Sequence, residues 1–553
     1  MIRLQSVATT SALTRGFFTR SMFARRAYSS DKDITYVDLK NLDESPESAA
    51  AASHFFEFQT GRFLKNDREE RRKRATKFDF KGLLKLLENK VNVAESGVSI
   101  ETLEPLFEGK SNKLYKIVLK DQRSYVLRIP YNIGSKEYRD FRLLSEVATM
   151  EYINQVSFKD HPKFRATLPL AYSSSADNEI KTPYILSSFV AGEKFAAQWK
   201  PWETDVEQKT PVIEPIAEMG AQILKSKFPG YGSIYFAKDL PSNIKSIKID
   251  DEFVLGPSVE RKFWASQQDG ASKLWGPWSS WSEYLQATAD AQLEHARSVS
   301  GEASANFRAA ERYAKIVPKL FSVTEMHGQI ASPRLCDPDL SPLNVISQDG
   351  EKFWLIDVEN SVVKPYVFHG VPWFVRNPGE RIYRLEDVPN YEQLPEQQKS
   401  IVKHFYSLTQ SEVAYEKLLK QLVPDLIYAH HPNLKRREEL VNRAMITDIN
   451  TGFFNDLDYA MFRLMELWPM LRTGVEPPVT YADTEINELA QSIAQWNQDL
   501  MRNKYLESDG YVPAEEFDQL LGTGNLKVLD DKIGNYELTE EFLDSQDMMK
   551  NMQ

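Results

Sequence analysis

The stretch from Asp339 to Asp357 constrains the fold more than any other part of the chain. Asp339 lies between Pro338 and Pro342, in a loop where neither helix nor strand persists. Asn344 follows five residues on. Val345-Ile346-Ser347, Gln348-Asp349-Gly350 and Phe353-Trp354-Leu355-Ile356 then spell two short apolar strands joined by an Asp-Gly turn. Closing that hairpin returns Asp357 to Asn344, so an Asn and an Asp meet at its base with Asp339 on the adjoining loop. An Asp so placed can orient and deprotonate a hydroxyl. The Asn and the second Asp, completed by phosphates and waters, suit octahedral Mg²⁺. The competing reading is an Asx-rich turn ahead of an ordinary hairpin. A D-x₄-N spacing alone is weak; Ile356-Asp357 at hairpin distance favours the chemistry.

The N-terminal third provides an independent set of signals. Leu114–Lys120, the polar turn Asp121-Gln122, and Ser124–Ile129 read as a second hairpin. Residues 137–156 read as a helix with Leu143, Met150 and Ile153 on one stripe. Glu146 shares that stripe, and burying a carboxylate there requires a partner. Arg128, near the end of the preceding strand, is the candidate; the alternative is a solvated Glu146 at the stripe's edge. Glu108-Gly109-Lys110-Ser111-Asn112 precedes the hairpin, and its backbone N–H groups could cover phosphates. It has one glycine and matches neither G-x-G-x-x-G nor a Walker A pattern. Thr182–Val190 reads as a further strand, ended by Ala191-Gly192. From there to about residue 500 helical patterns dominate, apart from the hairpin around Gly350.

Several of these segments resemble the fungal branch of the aminoglycoside-phosphotransferase-like kinases. They are Glu108–Lys113, Val126–Pro130, Ser145–Tyr152, Asp339–Asn344 and Ile356-Asp357. The resemblance spans roughly residues 55 to 480, and Ser145–Tyr152 is its most specific block. It implies an α+β, two-lobed protein-kinase-like fold with a small β-rich N-lobe and a large helical C-lobe. ATP would lie between the lobes with Ser187 to Val190 as the hinge near the adenine. Asp339 would be the catalytic base, and Asn344 and Asp357 the metal ligands. Gly109, Ser111, Asn112, Arg128, Glu146, Ser188 and Val190 would serve the nucleotide. The implied chemistry is transfer of the ATP γ-phosphoryl group to a small-molecule hydroxyl. Three departures stand out: Asp337 where the family pattern has His, Arg128 where many kinases have Lys, and the glycine-poor loop. They motivate a second expectation, a catalytically weak or inactive pseudokinase acting as a binding or assembly factor.

The bulk properties bound these expectations. A chain of 553 residues suits a two-lobed body with extensions, and a net charge of −11 argues against non-specific nucleic-acid binding. The one cysteine, Cys336, excludes an internal disulfide and any multi-cysteine zinc site; it reads as a small core residue. No apolar run is long enough to span a bilayer. Residues 1–28 carry Arg3, Arg15, Arg20, Arg25 and Arg26, many Ser and Thr, and no acid, as a mitochondrial transit peptide does. Arg26-Ala27-Tyr28-Ser29 resembles a matrix-processing site; the alternative is a basic, unstructured leader. The expected organisation is a transit peptide over 1–28, an extension over 29–78, the N-lobe over 79–190, the C-lobe over 191–500 and an acidic segment over 501–553. Tyr505–Glu516 echoes an EF-hand, but Tyr505 stands where the first Asp ligand is needed. The tryptophans at 264, 275, 278 and 281 read as helical-lobe core or a lid.

Overall fold

The computed structural model describes residues 55–91, 99–265, 274–446 and 454–551, apart from residues 327, 378, 380, 472 and 509. The expected transit peptide, its processing site and the first part of the extension lie outside the described residues. The chain is of the α+β class and divides into two compact units. One comprises residues 55–143, 169–189 and 483–551. The other comprises 144–168 and 190–482.

The first unit is built on a five-stranded antiparallel sheet of β1 (Ile100–Glu108), β2 (Asn112–Leu119), β3 (Ser124–Pro130), β4 (Pro169–Ser173) and β5 (Tyr184–Ser188), in the order β1-β2-β3-β5-β4. Strict alternation along β2 and β3 explains why these residues pair. Tyr115, Ile117 and Leu119 share one buried face with Tyr125, Leu127 and Ile129. Helix α1 (Phe80–Lys90) belongs to the same core through Leu83, Leu86 and Leu87. Asp79 starts it, its side chain accepting from Gly82 N at 2.8 Å. Gly82 is required by close approach: a Cβ there would lie 1.8 Å from the Glu179 carbonyl oxygen.

A buried ion pair ties the chain that precedes this sheet to it. Lys113 Nζ lies 2.7 Å from Glu108 Oε1, with both side chains 1% exposed. Lys113 also donates to the carbonyls of Phe55 and Glu57 at 2.9 and 2.8 Å, and Glu108 Oε2 accepts from the N–H groups of Gln59 and Thr60. Burial pulls the Lys113 ammonium below its ordinary pKa, while the Glu108 charge opposes that fall. Further along, Gly61–Phe63 pairs antiparallel with Tyr511–Pro513. Leu64 enters a small core with Tyr505, Val512, Phe517, Leu520, Leu526 and Leu538. Glu516, the last ligand position of the EF-hand echo, instead pairs with Lys504 at 2.5 Å.

Helix α2 (Lys136–Tyr152) follows β3 and closes with a π-helical turn over Ile153–Ser157. Leu143, Met150 and Ile153 are buried as the stripe requires, and Glu146 is buried with them at 5% exposure. The solvated reading of Glu146 therefore does not hold.

The second unit is dominated by helices. Among them α3 (Thr210–Lys225) buries Ile213, Ile216, Ala217, Met219 and Gly220. Within this unit β6 (Pro333–Cys336) leads to the Asp339 loop and then to the hairpin β7 (Val345–Gln348) and β8 (Lys352–Leu355). Strand β9 (Val362–Pro365) returns to pair antiparallel with β6. The hairpin is extended into a four-stranded sheet by Phe164–Ala166, parallel to β8, and by Glu193-Lys194, antiparallel to β7. Helix α4 (Glu396–Leu422) packs Tyr415 against α3 at Gly220. Trp264, Trp278 and Trp281 are buried in this unit, and Trp264 stacks on Trp275 at 4.0 Å, as core tryptophans do. Among the described residues no helix is long and apolar enough to cross a membrane.

Two substitutions probe the sheet unit. Gly82→Ala is expected to lower its stability by about 1–3 kcal/mol, because the neighbour is backbone and cannot rotate away. Lys113→Met, which strands a buried carboxylate, is expected to lower it by about 3–5 kcal/mol, with part of the loss recovered in the Glu108→Gln/Lys113→Met double variant. Chemical denaturation of the purified variants checks both.

Candidate active site

The loop is fixed at three points before any chemistry is considered. At its start, Asp337 leaves β6, and its Oδ1 accepts the Asp339 N–H at 3.0 Å. In the middle, Leu340 is 6% exposed and packs at Gly220 of α3, where a Cβ would meet Leu340 Cδ2 at 3.1 Å. At its end, a single 3₁₀ turn over Pro342–Asn344 feeds directly into β7. Asp349 and Gly350 both have positive φ, 54° and 70°, and Glu351 N donates to Gln348 O at 3.0 Å. This is the tight turn that an Asp-Gly pair favours. The register Val345↔Leu355 then carries the chain back, and Ile356 N donates to Asn344 O at 2.9 Å. Asp357 is the next residue, and its Oδ1 accepts the Glu359 N–H at 2.9 Å.

Asp339 is exposed, and both of its carboxylate oxygens carry donors. Asn344 Nδ2 donates to Oδ2 and to the Asp339 carbonyl, each at 3.0 Å, and Trp373 Nε1 donates to Oδ1 at 2.8 Å. With its nitrogen committed to Asp339, the Asn344 amide keeps its oxygen for another partner. An amide oxygen and an Asp carboxylate are hard-oxygen donors of the kind Mg²⁺ takes, a metal that keeps several waters and shares substrate phosphates. Among the described residues no group of three His, Cys, Asp or Glu side chains is arranged to hold a metal ion.

Asp337 gives the loop an unusual buried carboxyl. Its Oδ2 is buried without a hydrogen-bond partner among the described residues. Burial holds its carboxyl well above the ordinary range; the Asp339 N–H bond opposes that shift, and the Asp339 and Asp357 charges add to it. Next to it, burial pushes the Cys336 thiol up to about 11, which fits a core side chain rather than a nucleophile.

The other nominated residues sit in the sheet unit or on α2. Gly109 follows β1, and its N–H donates to Asn112 O at 2.9 Å, so Lys110 and Ser111 form the β1–β2 turn and Asn112 opens β2. Arg128 lies on the central strand, paired with Leu114 and Ile185, on the face opposite Leu127 and Ile129. Ser187 pairs with Val126 and shares the Arg128 face. Ser188 pairs with Tyr125 and falls on the other, at the exposed end of β5. Val190 lies two residues past that end. Two contributors to the loop, Leu340 and Trp373, carry little or no local sequence signal. Leu340 was visible only as an apolar residue in a polar turn. Trp373, thirty-four residues beyond Asp339, carried no spacing signal at all.

A central-strand arginine in a β1-β2-β3-β5-β4 sheet with a helix after β3, and a hairpin-anchored Asp339 loop in a helical unit, define a kinase-like protein. No family model matches the chain. Altered inheritance of mitochondria protein 9 of Yarrowia lipolytica is 31% identical over 505 residues, 85% of this chain and 86% of its own length. The protein of the same name in Kluyveromyces lactis is 28% identical over 583 residues, 90% of this chain and 92% of its own. The chain belongs to the family of altered inheritance of mitochondria protein 9, whose named members are mitochondrial. Among solved structures, an aminoglycoside phosphotransferase aligns at 17% identity and a TM-score of 0.33, over 66% of this chain and 99% of that one. A choline kinase from Cryptosporidium parvum aligns at 13% and 0.30, over 78% and 99%.

Asp337 sets a pH dependence with a definite sign. In the unfolded chain it titrates at about 3.9. In the fold it holds its proton to higher pH. Between those two values the folded state carries a proton the unfolded state has lost, so stability falls as pH rises through that window. Asp337→Asn is expected to raise the melting temperature at neutral pH, with the gain shrinking as pH approaches about 4. Calorimetric melting of both proteins across that range checks it.

Proposed function

We propose that this protein transfers the γ-phosphoryl group of Mg·ATP to the hydroxyl of a small molecule in the mitochondrial matrix. The observation that carries this reading is the orientation of Asn344, whose nitrogen holds Asp339 while its oxygen stays available beside the chain that leads to Asp357. Asp339 accepts the proton of the acceptor hydroxyl as its oxygen approaches the γ-phosphorus. Asn344 keeps the Asp339 carboxylate in one orientation during that transfer. Arg128 is the cation for the nucleotide phosphates, and its planar fork suits paired phosphate oxygens. Glu146, a carboxylate at 5% exposure, is the residue proposed to hold that arginine in place. Gly109, Ser111 and Asn112 cover the phosphates from the β1–β2 turn, and Ser188 and Val190 serve the adenine. Asn344 and Asp357 would hold Mg²⁺, which would supply positive charge to the phosphates. The relatives' names support a mitochondrial location, and the arginine-rich, acid-free residues 1–28 support import to the matrix.

Asp337 favours a second reading, a kinase-like binding or assembly factor, because it adds a carboxyl beside the candidate base at the position where the kinase pattern this chain resembles has a histidine. The two readings separate at Asp339. Under the first, Asp339→Ala retains Mg·ATP binding but lowers turnover by roughly 10²- to 10⁴-fold, whereas Asp357→Ala loses metal-dependent nucleotide binding. Calorimetric Mg·ATP titrations, with metabolite profiling of deletion and Asp339→Ala strains, measure both. Failure to bind nucleotide with any divalent metal sinks the phosphotransferase reading. Full complementation by Asp339→Ala favours the second.

A further inference from the structure

Trp373 has no part in the phosphotransfer scheme above, yet it makes the shortest contact to the candidate base. Asp339 Oδ2 is turned to Asn344, on the side of the proposed metal. Oδ1 is the oxygen left to receive an acceptor's proton, and the Trp373 indole N–H occupies it at 2.8 Å. The indole is placed there by an anchored turn. Val375 and Arg376 both donate to Pro372 O at 3.1 Å. Phe374 and Val375, at 2% and 0% exposure, fix the turn in the core, and Phe374 meets Trp199 edge-on at 5.1 Å. Gly370 enters the turn with a φ of 64°, and a Cβ there would lie 2.8 Å from Glu438 Oε1. Trp373 itself remains half-buried. The result is a rigid support presenting one N–H group to one carboxylate oxygen.

We propose that Trp373 guards Asp339: with no acceptor bound, its indole N–H occupies Oδ1 and restrains transfer of the phosphoryl group to water, and an acceptor hydroxyl displaces it. The guard rests on the phosphotransferase reading. In the restrained reaction a water oxygen bonds to the γ-phosphorus of ATP. The bond from that phosphorus to the β–γ bridging oxygen breaks, leaving its electron pair on ADP. One water proton passes to Asp339, and the other stays on the inorganic phosphate. A donor fixed on Oδ1 competes directly with that proton transfer. A hydroxyl acceptor held by its own binding contacts can displace the indole; a lone water has no such contacts.

Hydrolysis of Mg·ATP in the absence of any acceptor tests the guard. Trp373→Phe keeps a ring on the same support and removes the N–H. It is expected to raise hydrolysis about tenfold, the worth of one hydrogen bond to a charged group, with the KM for ATP unchanged. Trp373→Gln restores a donor of similar reach and is expected to return the rate to that of the wild type. Loss of packing alone would not produce a gain that a non-aromatic donor reverses. Trp373→Leu provides a second donor-free variant should Trp373→Phe fail to fold. Calorimetry with Mg·ATP accompanies each assay. Wild-type nucleotide affinity with unchanged or slower hydrolysis in the donor-free variants overturns the guard and leaves the phosphotransferase reading standing. No Mg·ATP binding in any variant, the wild type included, overturns that reading and the guard with it.

Discussion

A single backbone hydrogen bond, from Ile356 N to Asn344 O, closes the segment on which the candidate chemistry depends. It holds because the turn at its far end has little freedom. Asp349 and Gly350 both take left-handed conformations, which fixes the register of β7 against β8 and hence the position of Asp357. A slip of one residue would reverse every side chain in the hairpin and send Val345 and Leu355, both buried, to the opposite face. The packing of the hairpin and the placement of Asn344 and Asp357 are thus one constraint. Leu340 extends it into the helical unit, since a loop with a buried leucine cannot swing without emptying its seat at Gly220.

Much of this was legible in the sequence, for identifiable reasons. The Asp-Gly turn and the alternation in β2 and β3 are short-range signals with few alternative solutions, and the structure follows them closely. The stripe on α2 was legible too, and the burial of Glu146 decides a question that periodicity left open. What escaped was long-range. The indole of Trp373 reaches Asp339 across thirty-four residues of irregular chain, and no local pattern announces such a contact. The parity of β5 was also hidden. Which of Ser187 and Ser188 shares a face with Arg128 is set by the pairing of β3 with β5, not by either strand alone.

The residues around the β1–β2 turn show how a motif can be chemically plausible and structurally occupied at once. Glu108 and Lys113 flank the turn nominated to cover phosphates, yet their charges are directed at each other and at the backbone of residues 55–60. The turn between them is itself tied, with Gly109 N donating to Asn112 O and Tyr131 N to Ser111 O. A pair buried this fully does little for net stability compared with well-packed apolar residues, but it specifies which segment lies against the sheet.

The pairing of Gly61–Phe63 with Tyr511–Pro513 has a consequence for the order in which the molecule is made. A ribosome delivers the first of these strands about 450 residues before the second. Until then Gly61–Phe63 has no strand partner, and Leu64 lacks the side chains that enclose it. The sheet unit therefore completes only after the whole helical unit has been synthesised, and bridging that interval adds a loop-closure cost that grows slowly with its length. In a nascent chain the early segment is an open edge awaiting its complement, and this unit closes only once Tyr511–Pro513 has emerged.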